Sequence, residues 1–541
     1  MLQLPMSERT LGRVLQIQAE RHALRPFLLF EGQRYTYRDA AAATRNLAAG
    51  LRGIGIQKGD HVSIQMHNCP EMLWTIFALA SIGAVAVPLN TAAKGDLLSY
   101  FLAQSKTSSI IVDAALLPNF AQAASHLPEL TRVILRTEPG NVVEESPGSS
   151  ARRWYSLSEL FAPAAEQALV DGPSFSEVQL IMYTSGTTGP SKGVMCTHAQ
   201  EQTGGLYMTE QMGYGEDDVL YTCLPLFHAN ALRVTVNAAI WAGATVALSR
   251  RFSASSFWSE IRASGATQFN ALGAMANIIL RQPPSELDRE HNVRLCNIIP
   301  ALPTDAVKDF ERRFAVEVTS MYGSTEICCP IFAVAGTPKD KGATCGRAVA
   351  PFEVRVVDEN DFEVPHGELG EWIIRTREPW YVFQGYYDMP DATLSATRNF
   401  WFHSGDRGYR DEGGYFYFVD RNKDCVRRRG ENISSYEVEL LISQHPSVLE
   451  VAVVPVASEL GEDDVLAFVV LREGCACDER ELIEFCEERM ARFMVPRYLR
   501  FLAELPKTPS EKIEKYKLRQ LAEHERELLW DRVVKIGDPR A

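Results

Sequence analysis

An apolar stretch that ends in a loop of glycines, hydroxyls and one lysine constrains this chain more than any other feature. Glu177-Val178-Gln179-Leu180-Ile181-Met182-Tyr183 reads as a short strand, and Thr184-Ser185-Gly186-Thr187-Thr188-Gly189-Pro190-Ser191-Lys192-Gly193 follows at once. Turn formers cut the strand off. The glycines let backbone approach a ligand and turn its N–H groups one way. The hydroxyls add donors, and Lys192 adds a mobile point charge. Such a loop suits an anion with several oxygens, a nucleotide triphosphate first of all. It is not a Walker A loop, because Gly193 follows the lysine where Ser or Thr is required. Read alone, the stretch specifies phosphate, with a flexible surface loop as the plain alternative.

The strand belongs to a longer alternation. Residues 8–54 read as a helical opening, a hairpin (27–30 and 34–37 about Glu31-Gly32-Gln33) and an alanine-rich helix over 38–51. Strand patterns at 60–66, 84–90 and 109–113, with a helix at 70–82, predict a parallel sheet covered by helices on both faces. Pro, Gly, Ser and Glu dominate 138–150, as in a surface insertion. From 353 to 376 the pattern turns to strand–turn–strand, a β-rich subdomain, and 415–419 is another strand. Charge rises at Asp420-Arg421-Asn422-Lys423-Asp424, where the main domain boundary is expected. The remainder has a helix (435–444), two strands (449–455, 465–472), a helix (478–492), a β segment (498–502) and then a polar loop.

A chain of 541 residues exceeds what one core usually serves, so two or more domains are expected. The net charge of −14 argues against a general nucleic-acid binder. The eleven cysteines include no C-x-x-C pair, and neither Cys328-Cys329 nor Cys475-x-Cys477 has zinc-site spacing, so reduced, mostly buried thiols are expected. The N-terminus has no signal-peptide pattern, and the longest apolar run, 78–89, is too short for a span. The expected location is the cytoplasm.

Four later stretches invite chemical readings. Met321-Tyr322-Gly323-Ser324-Thr325-Glu326 offers an aromatic face for a purine and a carboxylate for Mg²⁺; a strand-end turn with a solvated Glu is the alternative. Trp401-Phe402-His403-Ser404-Gly405-Asp406 ends in an Asp suited to two ribose hydroxyls or to capping a turn. Arg421 could reach the same ribose or a phosphate, or point to solvent. Pro506-Lys507-Thr508-Pro509-Ser510-Glu511-Lys512-Ile513 is a loop whose lysine, by itself, reads as exposed.

In this order, the Thr-Ser-Gly-Thr-Thr-Gly-x-x-Lys-Gly loop, Tyr-Gly-x-Thr-Glu, Trp-Phe-x-x-Gly-Asp, Arg-x-Lys-Asp and the late lysine loop resemble the adenylate-forming superfamily of acyl-CoA synthetases, luciferases and peptide-synthetase adenylation domains. The resemblance covers nearly the whole chain. Gln282-Pro283-Pro284-Ser285 with Asp288-Arg289 looks most like the crotonobetaine/carnitine–CoA ligase-like acyl-CoA ligases. It implies an α/β fold: a large N-terminal domain of parallel and mixed sheets with flanking helices and a β-rich subdomain, and a small mobile α+β C-terminal domain. The implied division is 1–421, a hinge at 422–424 with Lys423, and 425–541.

The resemblance also assigns roles. Thr184, Ser185, Gly186, Thr187, Thr188, Gly189 and Lys192 would wrap the β- and γ-phosphates of ATP. Tyr322 and Gly323 would flank adenine, Thr325 would contact the α-phosphate, and Glu326 would hold Mg²⁺. Asp406 and Arg421 would bind ribose, and His228 would line the acyl pocket. Lys512 would bridge the substrate carboxylate and the α-phosphate. After a domain rotation, Arg427, Arg428, Arg429 and Gly430 would face CoA. The implied reaction is that of an ATP-dependent acyl-CoA ligase with a small carboxylic acid and CoA as partners; a homodimer is left open. The alternatives are an adenylating enzyme that loads a carrier-protein phosphopantetheine, and a nucleotide-binding regulator without turnover.

The sequence departs from the family pattern in two places. Glu511 precedes the lysine where a glycine is usual, and Ile298-Ile299-Pro300-Ala301-Leu302 replaces a glycine-rich adenine-contacting turn. Ala229-Asn230-Ala231-Leu232-Arg233 lacks the Asp with which amino-acid-activating relatives pair the substrate ammonium, so an amino acid is not the expected substrate. Arg233 could favour a second carboxylate or an oxygenated acyl chain, but reads first as a solvent-facing arginine.

Overall fold

The computed structural model describes residues 2–123, 127, 129–138, 152–162, 172–184, 190–421, 425–458, 461–506, 513 and 515–536. The chain divides into two compact units. The first comprises Met1–Thr91, Phe101–Met182 and Gly193–Asp420; the second comprises Ala92–Tyr100, Tyr183–Lys192 and Arg421–Ala541.

The sequence alternation resolves, in the first unit, into sheets covered by helices. One sheet orders its strands Arg153–Ser156, Arg132–Arg136, Ser109–Asp113, His61–Gln65, Val85–Pro88, Val178–Thr184 and Lys192–Thr197. The first six are parallel, and the near-continuous apolar runs of the central Ser109–Asp113 and Val85–Pro88 are those of strands buried on both faces. The helix Pro70–Ile82 begins with proline at its first turn and ends at Gly83, whose φ of 73° a Cβ would oppose. Every residue in it but Glu71 is buried, so the apolar run 78–89 is core. Burying side chains such as Leu73 and Phe77 contributes roughly 1.5–3 kcal/mol each.

A second, nine-stranded sheet is mixed. Its centre, Thr245–Leu248, Val219–Thr222, Gln268–Leu272, Leu295–Ile299 and Glu317–Ser324, is parallel. Antiparallel hairpins extend both edges: Pro26–Phe30 with Gln33–Thr36, the hairpin expected from the sequence, and Glu317–Ser324 with Cys328–Ala333. The β-rich subdomain is a four-stranded sheet ordered Phe352–Val357, Gly370–Thr376, Phe402–Arg410, Phe416–Arg421.

The second unit is built on a sheet ordered Val448–Ala457, Asp463–Leu471, Tyr498–Phe501, Trp530–Asp531. Strand alternation separates its two faces. Val451, Val453, Val465, Ala467 and Val469 pack under the helices Ser435–Ser443 and Glu479–Arg489, while Ala452, Val454, Leu466 and Phe468 pack against Leu518 and Ala522. The last contacts correct the expectation of a polar loop after residue 502. Lys515–His524 is a helix whose short apolar stripe closes the second face, and Trp530–Asp531 adds an edge strand. Among the described residues no helix is long and apolar enough to cross a membrane, and all cysteines are free, with only Cys475 and Cys477 not fully buried.

Candidate functional site

The hairpin Glu317–Ser324/Cys328–Ala333 carries the Tyr-Gly-Ser-Thr-Glu motif over its tip. Ser324 pairs with Cys328, so Thr325, Glu326 and Ile327 form a three-residue turn, closed by Cys328 at φ 56°. Gly323 is required sterically, since a Cβ there would lie 2.1 Å from the Cys328 carbonyl oxygen.

Two motifs distant in sequence meet here. The Tyr322 hydroxyl donates to Asp406 Oδ2 at 2.6 Å, across 84 residues of chain. Both side chains are buried, and the Tyr322 ring stands edge-on to Trp372 with centroids 4.7 Å apart. Asp406 follows Gly405, whose φ of 72° bends the strand Phe402–Arg410. Glu326 Oε1 accepts from the Tyr386 hydroxyl at 3.0 Å. Burial first, and the Glu326 charge second, push the Tyr386 phenol well above its ordinary range, so it remains a donor. No donor among the described residues reaches Glu326 Oε2. A hard carboxylate oxygen with room for a further partner fits Mg²⁺, which takes one or two protein carboxylates and keeps several waters.

Beneath the turn the sequence expectation for Arg233 fails. Arg233 is 1% exposed and paired with fully buried Glu201, and its Nη1 and Nη2 donate to the carbonyls of Ser324 and Thr325 at 3.2 Å each. Arg233 lies on a π-helical stretch, Asn230–Asn237, and Glu201 on the helix His198–Met212. The close approach rests on Gly204, where a Cβ would stand 2.5 Å from Arg233 Cδ. Sequence reasoning missed Glu201 and its neighbour Gln200. Their helix has no apolar stripe, although most of its residues are buried; the glycine pair Gly204-Gly205 was the one available signal. His228 sits in the turn just before the π-helical stretch, its ring 4.6 Å from that of Phe227.

In the phosphate loop, Thr184 ends one strand and Lys192 opens the next. Ser185, Gly186, Thr187, Thr188 and Gly189 lie outside the described residues, as do Lys423, Glu511 and Lys512. Arg421 ends the strand Phe416–Arg421, and its side chain is likewise outside the description. Within the second unit, Ser191 donates its N–H to Glu437 Oε1 at 2.7 Å and its hydroxyl to the same oxygen, and the Tyr100 hydroxyl donates to the Ser191 carbonyl. Burial raises the Glu437 carboxyl, against the opposing pull of Ser191.

The arginine run is split by strand alternation. Arg428, in Cys425–Arg428, is 2% exposed, donates to the carbonyls of Phe493 and Val495 and pairs with Asp464 at 2.9 Å. It is part of the core, which corrects its reading as a CoA contact. Arg429 and Gly430, at φ 53° and 81°, form the exposed turn to Glu431–Ser434. One other cluster resembles a metal-ligand set: His445 Nε2 lies 3.8 Å from Glu481 Oε1 and 4.0 Å from Cys477 Sγ. The Ser447 N–H, however, points at His445 Nδ1, which leaves the proton on Nε2, where a metal would need a lone pair.

Comparison with known proteins places the chain in a family. The model of the AMP-binding enzyme family matches residues 15–387, and that of the AMP-binding enzyme C-terminal domain matches 437–512. The crotonobetaine/carnitine–CoA ligase of Salmonella arizonae is 33% identical over 90% of this chain and 94% of its own. That of Citrobacter koseri is 33% identical over 93% and 97%. Among solved structures, a double mutant of o-succinylbenzoate CoA synthetase (MenE) from Bacillus subtilis, bound with the product analogue OSB-NCoA, superposes with a TM-score of 0.81 at 25% identity, covering 94% of this chain and 98% of that one. ATP-bound MatB from Rhodopseudomonas palustris gives 0.69 at 26%, covering 95% and 99%. The chain therefore belongs to the AMP-binding, adenylate-forming enzyme family.

Proposed function

We propose that this chain is an ATP-dependent acyl-CoA ligase. In the first half-reaction a carboxylate oxygen attacks the α-phosphorus of ATP, forming an acyl-adenylate and expelling pyrophosphate. In the second, the CoA thiol attacks the activated carbonyl, forms the thioester and expels AMP; its proton passes to solvent. The observation that carries the reading is the Tyr322–Asp406 hydrogen bond. It joins the adenine and ribose motifs within one side-chain contact of each other, beside the turn that presents Thr325 and Glu326. The curated relatives, named as CoA ligases, support the second half-reaction.

On this reading Asp406, oriented by Tyr322, accepts from the ribose hydroxyls. Thr325 donates to an α-phosphate oxygen, and Lys192 with the phosphate loop holds the β- and γ-phosphates. Glu326 would hold Mg²⁺, which when bound offsets the charge of the triphosphate. Lys512 positions the carboxylate against the α-phosphate, and His228 lines the acyl pocket. Charge accumulates around phosphorus during the transfer, so preorganised donors there should dominate the rate. Removing one typically costs about 3 kcal/mol of transition-state stabilisation.

The test is pyrophosphate release with ATP and Mg²⁺ across aliphatic, oxygenated and aryl acids, with and without CoA, beside Lys512→Ala. Acid-dependent release that the variant loses by about a hundredfold, with a thioester formed only when CoA is present, is the expected result. ATP binding without release for any acid would favour the regulatory alternative. Release with transfer to a phosphopantetheinyl carrier protein but not to CoA would favour the carrier-loading one.

A further inference from the structure

Three consecutive carbonyls at the hairpin tip, those of Ser324, Thr325 and Glu326, are each taken by a donor. Arg233 Nη1 donates to Ser324 O at 3.2 Å. Thr325 O receives Arg233 Nη2 at 3.2 Å and Gln200 Nε2 at 3.0 Å. Glu326 O receives Gln200 Nε2 at 3.1 Å and the Phe383 N–H at 2.7 Å. A three-residue hairpin turn needs at most one or two such bonds to satisfy its backbone, and exposed turns leave their carbonyls to water. Here two side chains from a different element pair supply most of them. With its carbonyls so held, the turn keeps a single orientation for the side chains it carries.

The charge at the centre is an unlikely choice for stability alone. Glu201 is fully buried and Arg233 is 1% exposed; Arg233 Nε donates to Glu201 Oε1 at 3.1 Å, and Nη2 reaches the same oxygen. Removing two ions from water is so costly that apolar side chains of like volume often serve stability as well or better. The planar guanidinium does what an apolar pair cannot: its fork fixes two adjacent carbonyls while Glu201 fixes the fork. Gly204 makes room for it, and a π-helical stretch, a form frequent at functional sites, aims it.

We propose that the Arg233–Glu201 pair, with Gln200, is a positioning brace that orients Thr325 and Glu326 for the adenylation step. The proposal rests on the reading of Thr325 and Glu326 as adenylation residues. The brace touches neither Tyr322 nor Asp406, and acts through Thr325 and Glu326, so its main effect falls on turnover.

The experiment replaces the pair together, Glu201→Leu with Arg233→Met, so that no uncompensated charge remains buried. The wild type is assayed first: without acid-dependent pyrophosphate release, the functional reading fails and not the brace. With release established, the double variant should melt within about 5 °C of wild type and still bind ATP, by calorimetry without Mg²⁺ or acid, because the Tyr322–Asp406 pair is untouched. Its kcat for pyrophosphate release should fall at least tenfold. Adding Thr325→Ala should then cost far less than it does in the wild type, because the brace works through that residue. A kcat within twofold of wild type, or a Thr325→Ala effect equal in both backgrounds, overturns the proposal. Should the double variant not fold, Arg233→Lys keeps the charge opposite Glu201 and loses the fork; folded Arg233→Lys with wild-type kcat overturns the proposal equally.

Discussion

At the scale of single residues, the hydroxyl of Tyr322 is the most consequential atom in the described site. It donates to the Asp406 carboxylate at 2.6 Å, a charge-assisted bond inside a buried pair. Such bonds contribute about 1.5–3 kcal/mol. Tyr322→Phe keeps the ring on Trp372 and should raise the KM for ATP about tenfold with little change in melting temperature. Steady-state kinetics with ATP varied checks this; an unchanged KM would separate Asp406 from nucleotide binding. The same scale shows why some arginines were illegible. The run Arg427-Arg428-Arg429 has one composition, but strand alternation sends Arg428 inward to Asp464 and leaves Arg429 on the exposed turn. Arg233 could not be placed without Glu201, 32 positions away in a helix that sequence periodicity does not reveal.

At the scale of elements, strongly apolar segments were legible and polar buried ones were not. The helix at 70–82 and the strand at 109–113 were predicted to the residue, because nothing but core can hold ten apolar residues in thirteen or a run such as Ile110-Ile111-Val112. The helix His198–Met212 is the opposite case: His198, Gln200, Glu201, Gln202 and Thr203 are all buried in a segment without an apolar stripe. It also carries a pH dependence. His198 is fully buried, and desolvation, with a smaller contribution from Lys58, lowers its pKa to about 3 from an ordinary 6.5. The folded state therefore holds the ring neutral, while the unfolded chain binds a proton below about pH 6.5. Stability from this group is complete above that pH and is lost progressively as pH falls toward 3, by about 2 kcal/mol at pH 5. Denaturant unfolding at pH 8 and pH 5 should show the gap between wild type and His198→Gln shrinking by about that amount. A gap that does not change with pH would mean that the ring is protonated in the folded protein.

At the scale of the molecule, each unit has a core of its own, and the two family models fall on different units: 15–387 mostly on the first, 437–512 on the second. That a separate C-terminal domain of the family follows the large N-terminal one was legible, because the motifs are short and ordered. The final helix Lys515–His524 was not, since its apolar contribution is little more than Leu518 and Ala522 in a charged segment. The central claim concerns a bound acyl-adenylate intermediate, so the most direct measurement is to trap it. Incubation of the protein with ATP, Mg²⁺ and a turnover-competent acid in the absence of CoA, followed by mass spectrometry of the protein-bound fraction, should yield an acyl-adenylate. Adding CoA should convert it to acyl-CoA and AMP within one turnover. An acid that reaches the thioester with no adenylate at any time, or with ADP and phosphate in place of AMP and pyrophosphate, would contradict the account.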